Sequence, residues 1–156
     1  MSFIRGDIGE SLWKKELQKN HTNITSAPNK KFYDWDIKAT FEGQEITYEV
    51  KYDTKGHYYA KKHNRGVNLY IEYKNTRKGE ISGIRASKAN YYVYILEDLK
   101  KCRRAYVFER VELLEHLQAN SYPVKGNKSS GDNNAEGWTP PLEKLRPILK
   151  KEVLLN

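Results

Sequence analysis

The sequence predicts a mixed α/β fold, a mostly antiparallel sheet flanked by helices. Three observations carry this. Ile4, Ile8, Leu12 and Leu17 recur at near-helical spacing with charges between them, which predicts a helix over residues 4–20. Polar and apolar residues alternate over Lys31–Phe41, with Asp34, Asp36, Lys38 and Thr40 on one face and Trp35, Ile37, Ala39 and Phe41 on the other. They alternate again over Gln44–Tyr52, and Glu42-Gly43-Gln44 supplies the tight turn that makes the two strands a hairpin.

The remaining elements follow in order. Asn20–Lys31 is polar and holds a proline, so it reads as a loop. Val67–Tyr73 reads as a third strand, Asn75–Gly83 as a turn and Arg85–Asn90 as a short helix. Tyr91–Leu96 is an apolar, aromatic run and predicts a buried strand, with another at Arg104–Phe108. Val111–Gln118 reads as a helix with Leu113, Leu114 and Leu117 inward. Pro123–Trp138, rich in Gly, Ser, Asn and Lys, reads as a mobile loop, so that residues 122–139 are expected to be flexible. Leu142–Leu155 returns to the core through Leu145, Ile148, Leu149, Val153 and Leu154. No repeat is present, and the 156 residues suffice for one domain spanning 1–156.

Composition narrows the function classes. Lys and Arg number 28 against 20 Asp and Glu, a net charge of +8 that favours a polyanionic partner. Cys102 is the single cysteine, so neither a disulfide framework nor a Cys-based zinc site can form within the chain. That fits a reducing cytoplasm. No apolar run approaches the ~20 residues of a membrane span, and the N-terminus lacks a signal-peptide apolar region. The expectation is a soluble cytoplasmic protein with no membrane partner and no small-molecule cofactor.

Chemistry concentrates in one tract. Residues i and i+2 of a strand share a face, so Glu49 and Lys51 point the same way while Val50 turns into the core. The neighbouring strand brings Asp34 or Asp36 beside them. Carboxylates, the Val50 carbonyl and water are the hard oxygen ligands that Mg²⁺ takes. A divalent ion so held can activate water for phosphodiester hydrolysis, and a lysine can orient that water. Acid-x-Lys by itself says little, since it occurs five times, at Asp36, Glu49, Asp53, Glu72 and Asp98. Only Glu49-Val-Lys51 closes an apolar-alternating strand paired with another that carries acids on the matching face. The competing structural reading is a solvated strand face with cross-strand ion pairs.

The tract Tyr33-Asp34 … Tyr48-Glu49-Val50-Lys51 resembles the PD-(D/E)XK nuclease superfamily, whose fold is restriction-endonuclease-like. The likeness extends through Gly66-Val-Asn68-Leu-Tyr-Ile-Glu72-Tyr, Ser82-Gly83-Ile84 and Lys88-Ala89-Asn90-Tyr91-Tyr92 to the small single-domain nucleases of phages and mobile elements. Gly6-Asp7-Ile8-Gly9-Glu10 is similar to the superfamily's first helix. The resemblance implies a restriction-endonuclease-like mixed β-sheet flanked by helices, Mg²⁺ or Mn²⁺ dependence and DNA as substrate. It implies catalytic roles for Glu10, Asp34, Glu49 and Lys51. The Tyr-Asp context favours Asp34 as metal ligand over Asp36, with Glu10 and Glu72 as further candidates.

Basic residues suggest where nucleic acid would lie. Lys55, Lys61, Lys62 and Arg65 fall in Asp53–Gly66, which reads as a basic loop with Tyr58 and Tyr59. Arg85 and Lys88 precede the buried strand, and Lys125 and Lys128 sit in the Gly/Ser tract. Branched DNA, as for Holliday-junction resolvases, would suit a small basic domain, and a homodimer would place two sites for paired cuts. A non-catalytic nucleic-acid-binding domain with a degenerate site is the alternative, and RNA a further substrate class.

Overall fold

The computed structural model describes residues 2–127 and 135–156. Helix α1 (Ser2–Leu17) fulfils the first expectation but ends one turn early. It buries Trp13 and Leu17 and leaves Ile8 exposed, so its inward stripe is rotated from the one the isoleucines suggest. The Ile4 side chain lies outside the described residues. Gly9 permits close packing, because a Cβ there would sit 2.9 Å from the Cβ of Tyr52.

Asn20–Lys31 is not all loop. It contains an edge strand, β1 (Thr22–Ser26), with four exposed residues around Ile24. So polar a segment carries no alternation signal, and its pairing with β2 (Ile37–Phe41) creates the strand. β2 is shorter than the expected Lys31–Phe41. Its ladder with β3 (Gln44–Asp53) runs from Ile37 opposite Tyr48 to Phe41 opposite Gln44. Glu42 and Gly43 close it with φ of 50° and 80°, the two-residue turn whose twist matches the strands. Before Ile37 the chain peels away, and the Asp34 carbonyl accepts from the Lys88 amide at 2.7 Å.

β3 pairs side by side with β6 (Tyr91–Glu97), the parallel pair of the described sheets. β7 (Arg103–Glu109) and β10 (Leu149–Leu154) extend the sheet antiparallel. The six strands lie in the order β1-β2-β3-β6-β7-β10. β6 is central and covered on both faces, which explains its unbroken apolar run.

A second sheet departs from the single one expected. β4 (Ile71–Asn75) starts later than Val67, since Leu69 donates its amide to the Pro140 carbonyl instead of a ladder. It pairs with β5 (Glu80–Ile81), inside the expected turn, and with β9 (Ala135–Trp138). β8 (Val124–Asn127) completes the order β5-β4-β9-β8. Pro123–Trp138 is therefore not one flexible loop: both its ends are strands, β9 held by β4 from far away in sequence and β8 held in turn by β9. Lys128 lies outside the described residues.

The other helices sit between and beside the sheets. Asp53–Gly66 contains α2 (Gly56–Lys62) where a loop was expected. Asp53 starts it, its Oδ1 accepting the amides of Lys55 and Gly56 at 2.8 and 3.0 Å. Arg85–Asn90 is reduced to one 3₁₀ turn at Gly83–Arg85. α3 (Arg110–Ala119) buries Leu113 and Leu117, and α4 (Leu142–Leu145) buries Leu145. Leu154, expected inward, is exposed on the edge strand β10.

Two cores result. α1 covers one face of the large sheet through Trp13, Leu17, Ile37, Tyr48, Val93 and Val107. The other face packs on the small sheet and α3, with Tyr94, Phe108, Ile71, Trp138 and Leu113. Among the described residues the fold is mixed α/β: a mixed six-stranded sheet, a second sheet and four α-helices. Among the described residues no helix is long and apolar enough to cross a membrane.

Candidate active site

The chemistry-bearing face is set by β3. Glu49 stands opposite Tyr92 and Lys51 opposite Tyr94, on the side of the large sheet that meets the small one. Val50 turns the other way and packs by Gly9 of α1. Asp36 is the hinge of the site. Its amide makes the last bond to β3, to the Tyr48 carbonyl at 2.9 Å. Its Oδ2 then accepts the Val50 amide at 2.8 Å, where a longer β2 would have continued the ladder. The N–H and C=O of a strand residue share one edge, so the Val50 carbonyl lies on the edge that Asp36 occupies. Glu10 reaches the same place from α1, because Gly9 lets the helix descend onto Tyr52 and Val50.

Burial and mutual repulsion dominate the electrostatics. The Glu49 carboxyl is pushed up to about 8, by burial first and then by Asp36 and Glu10; a Ser87 hydrogen bond and Lys51 work against this. Glu10 is pushed up to about 7 by burial, Asp36 and Asp7, with Lys14 opposing. Burial raises Asp36 too, against the Val50 amide and Lys51. Three carboxylates thus crowd one desolvated corner with Lys51 as the cation acting on two of them.

The donor set suits a hard cation in chemistry: carboxylate and carbonyl oxygens, excess negative charge and little competing solvent. Among the described residues, however, no three His, Cys, Asp or Glu side chains form a ready-made metal-binding group.

The sequence-derived residues separate on inspection. Asp34 enters the fold through its carbonyl and is not among the charges acting on Glu10, Asp36 or Glu49. Strand parity fails there because β2 starts only at Ile37, and the Asp34 carbonyl is engaged by the Lys88 amide and the Ser87 hydroxyl, the latter at 3.2 Å. Glu72 lies on the small-sheet side, where its Oε2 accepts from Ser82 Oγ at 2.7 Å. It acts on the phenols of Tyr70 and Tyr92 instead of on Glu49. Arg85 stacks over Tyr73 and Trp138 at 4.7 and 5.2 Å, so it braces the small sheet. Lys55, Lys61, Lys62, Arg65 and Lys88 are exposed.

Sequence reasoning missed several participants. Ser87 is buried in the irregular segment before β6, its Oγ donating to the Asp34 carbonyl and accepting the Ala89 amide at 3.1 Å, and it lowers the Glu49 carboxyl against burial. Arg110 donates Nε to the Ala89 carbonyl at 2.7 Å and feels the Glu49 charge from behind. Lys51 Nζ lies 5.9 Å from the Tyr70 ring, and the Tyr70 hydroxyl is buried without a hydrogen-bond partner. None sits at a motif spacing; only the close of the sheets brings them in.

Two surface clefts lie elsewhere. One of about 320 Å³ is walled by Trp13, His21, Phe41, Tyr48 and Tyr91. Another of about 620 Å³ lies by His57, Arg65, Asn68 and Arg146. Comparison with protein-family models, with curated proteins and with solved structures finds no match to this chain.

Proposed function

We propose that this chain is a Mg²⁺- or Mn²⁺-dependent DNA endonuclease with a PD-(D/E)XK-type site on a restriction-endonuclease-like sheet, with branched DNA as a substrate class and a homodimer as the form that makes paired cuts. One observation carries the reading. The Asp36 carboxylate is pinned to the amide of Val50, the residue between Glu49 and Lys51. A carboxylate, a carbonyl edge, a second carboxylate and an ammonium therefore occupy one corner.

Asp36, Glu49 and the Val50 carbonyl would hold the ion, with Glu10 as a further ligand. The bound ion supplies water activation and charge neutralisation at phosphate. Lys51 orients the attacking water and offsets phosphate charge. The exposed lysines of α2 bind the phosphate backbone.

A second reading has its own support. The exposed basic residues Lys55, Lys61, Lys62 and Arg65 would serve equally well in a DNA-binding domain that does not cut. Incubating the protein with plasmid, branched DNA and RNA in Mg²⁺, Mn²⁺ or EDTA separates the two. Metal-dependent cleavage of DNA, lost in Lys51→Ala, supports the enzyme. Binding with no cleavage in either metal leaves the second reading.

A further inference from the structure

The helix that leaves the candidate active site is built differently from a simple phosphate-binding patch. α2 begins where β3 ends, fixed by the Asp53 cap, so its first turn lies about 15 Å along the chain from Lys51. Lys55, Lys61, Lys62 and Arg65 are exposed along it. Tyr58 and Tyr59 are also exposed, at 48% and 41%, on this basic stretch. Large aromatic rings contribute most when desolvated, and a helix whose only task was phosphate contact would not need them.

These rings are held in place. Tyr58 meets Tyr59 edge to face with centroids 5.3 Å apart. Tyr59 stacks with His63 at 6.4 Å and an interplanar angle of 16°. Lys125 of β8, far along the chain, sets its Nζ 5.6 Å from the Tyr59 ring. The edge strand of the small sheet and α2 therefore form one surface. It lies on the same side of the large sheet as Lys51, whose ammonium approaches Tyr70 at the entry to β4.

A duplex hides its base faces and offers phosphates, whereas an unpaired strand offers both. Ordered, open tyrosines among cations match the second. We propose that Tyr58 and Tyr59, with Lys61, Lys62 and Lys125, form a stacking platform for a single-stranded DNA tract running from the candidate active site. This rests on the nuclease reading and narrows its substrate to DNA with an unpaired arm.

The test measures binding and cleavage separately. In EDTA, fluorescence anisotropy follows a dye-labelled oligo(dT) of about 12 nucleotides, a blunt duplex of equal length, and oligo(rU). Tyr58→Leu/Tyr59→Leu is expected to weaken oligo(dT) binding about 10-fold or more and duplex binding less than about 2-fold. Tyr58→Phe/Tyr59→Phe keeps the rings and is expected to bind like wild type, which separates stacking from helix damage. Lys61→Ala/Lys62→Ala should weaken both DNAs. Equal loss on duplex and single strand, no loss in the Leu pair, or tighter binding of oligo(rU) than oligo(dT) overturns the platform. Cleavage is scored apart, with Mg²⁺ on a flapped duplex. If nothing is cut yet the EDTA pattern holds, the platform stands and the nuclease reading falls; cutting without that pattern does the reverse.

Discussion

The paired strands β3 and β6 hold two glutamates in opposite circumstances. Glu97, at the end of β6, accepts from the Tyr52 hydroxyl at 2.6 Å and from Arg103 Nε at 3.0 Å. The Tyr52 bond and then Arg103 hold its carboxyl below the usual range. Glu49, on β3, faces Asp36 and Glu10, with Lys51 and Ser87 as the opposing partners, and its carboxyl is driven up to about 8. Glu97 is buried and Glu49 half-buried by solvent exposure, and what separates them is their neighbours. An acid supplied with a fitted arginine and a phenol ties strands together. An acid buried against other acids costs stability in the free protein, which is the pattern expected where a cation or substrate supplies the missing charge.

The largest effect should come from breaking the repelling corner. Asp36→Asn and Glu49→Gln are each expected to lower cleavage about 10²–10³-fold, with DNA affinity measured in EDTA unchanged. Asp34→Asn should lower cleavage less than either, because its carbonyl, not its carboxylate, is tied into the fold. A plasmid-nicking assay over the three variants checks this. Equal losses for Asp34 and Asp36 would return the ligand role to Asp34.

A smaller effect should follow from the satisfied end. Glu97→Gln keeps the shape but replaces charge-assisted bonds with neutral ones. A loss of about 2 kcal/mol is expected, about 4–8 °C in melting temperature, with cleavage retained. Loss of cleavage without a shift in melting would move Glu97 into the functional group.

The smallest effect has the opposite sign. Glu49 and Glu10 have folded-state values raised above 4.5, to about 8 and about 7. The folded chain therefore binds protons that the unfolded chain has released, and stability falls as pH rises from about 4.5 through about 8. Glu49→Gln should flatten that fall and stabilise the metal-free protein at pH 8 by on the order of 1 kcal/mol. Thermal melts in EDTA across this pH window check it; a steeper fall in the variant would contradict the repulsion.

Local pattern made much of this legible. The β2–β3 hairpin follows from strict alternation and a turn in which Glu42 and Gly43 take positive φ. Glu49 and Lys51 share a face by the same period. β6 announced itself as an apolar run. What stayed hidden had no local period. β1 is polar and exists because β2 pairs with it. The arms β8 and β9 look like linker because β9 gains its place from the remote β4, and β8 pairs only with β9. Basic, tyrosine-rich Gly56–Lys62 shows no apolar stripe, since only Gly56 and Ala60 are buried.

The sequence by itself determined a mixed α/β chain, its basic balance, and the Glu49-Val50-Lys51 face. These depend on residues one or two apart, whose relation the strand backbone dictates. Tertiary structure alone decided that the Asp36 carboxylate takes the Val50 amide, that Gly9 lets α1 descend onto Tyr52, and that Lys125 meets Tyr59. Each depends on where one element departs from another. The end of β2 at Ile37 frees the Val50 amide for Asp36, and such departures are set by packing between segments distant in sequence.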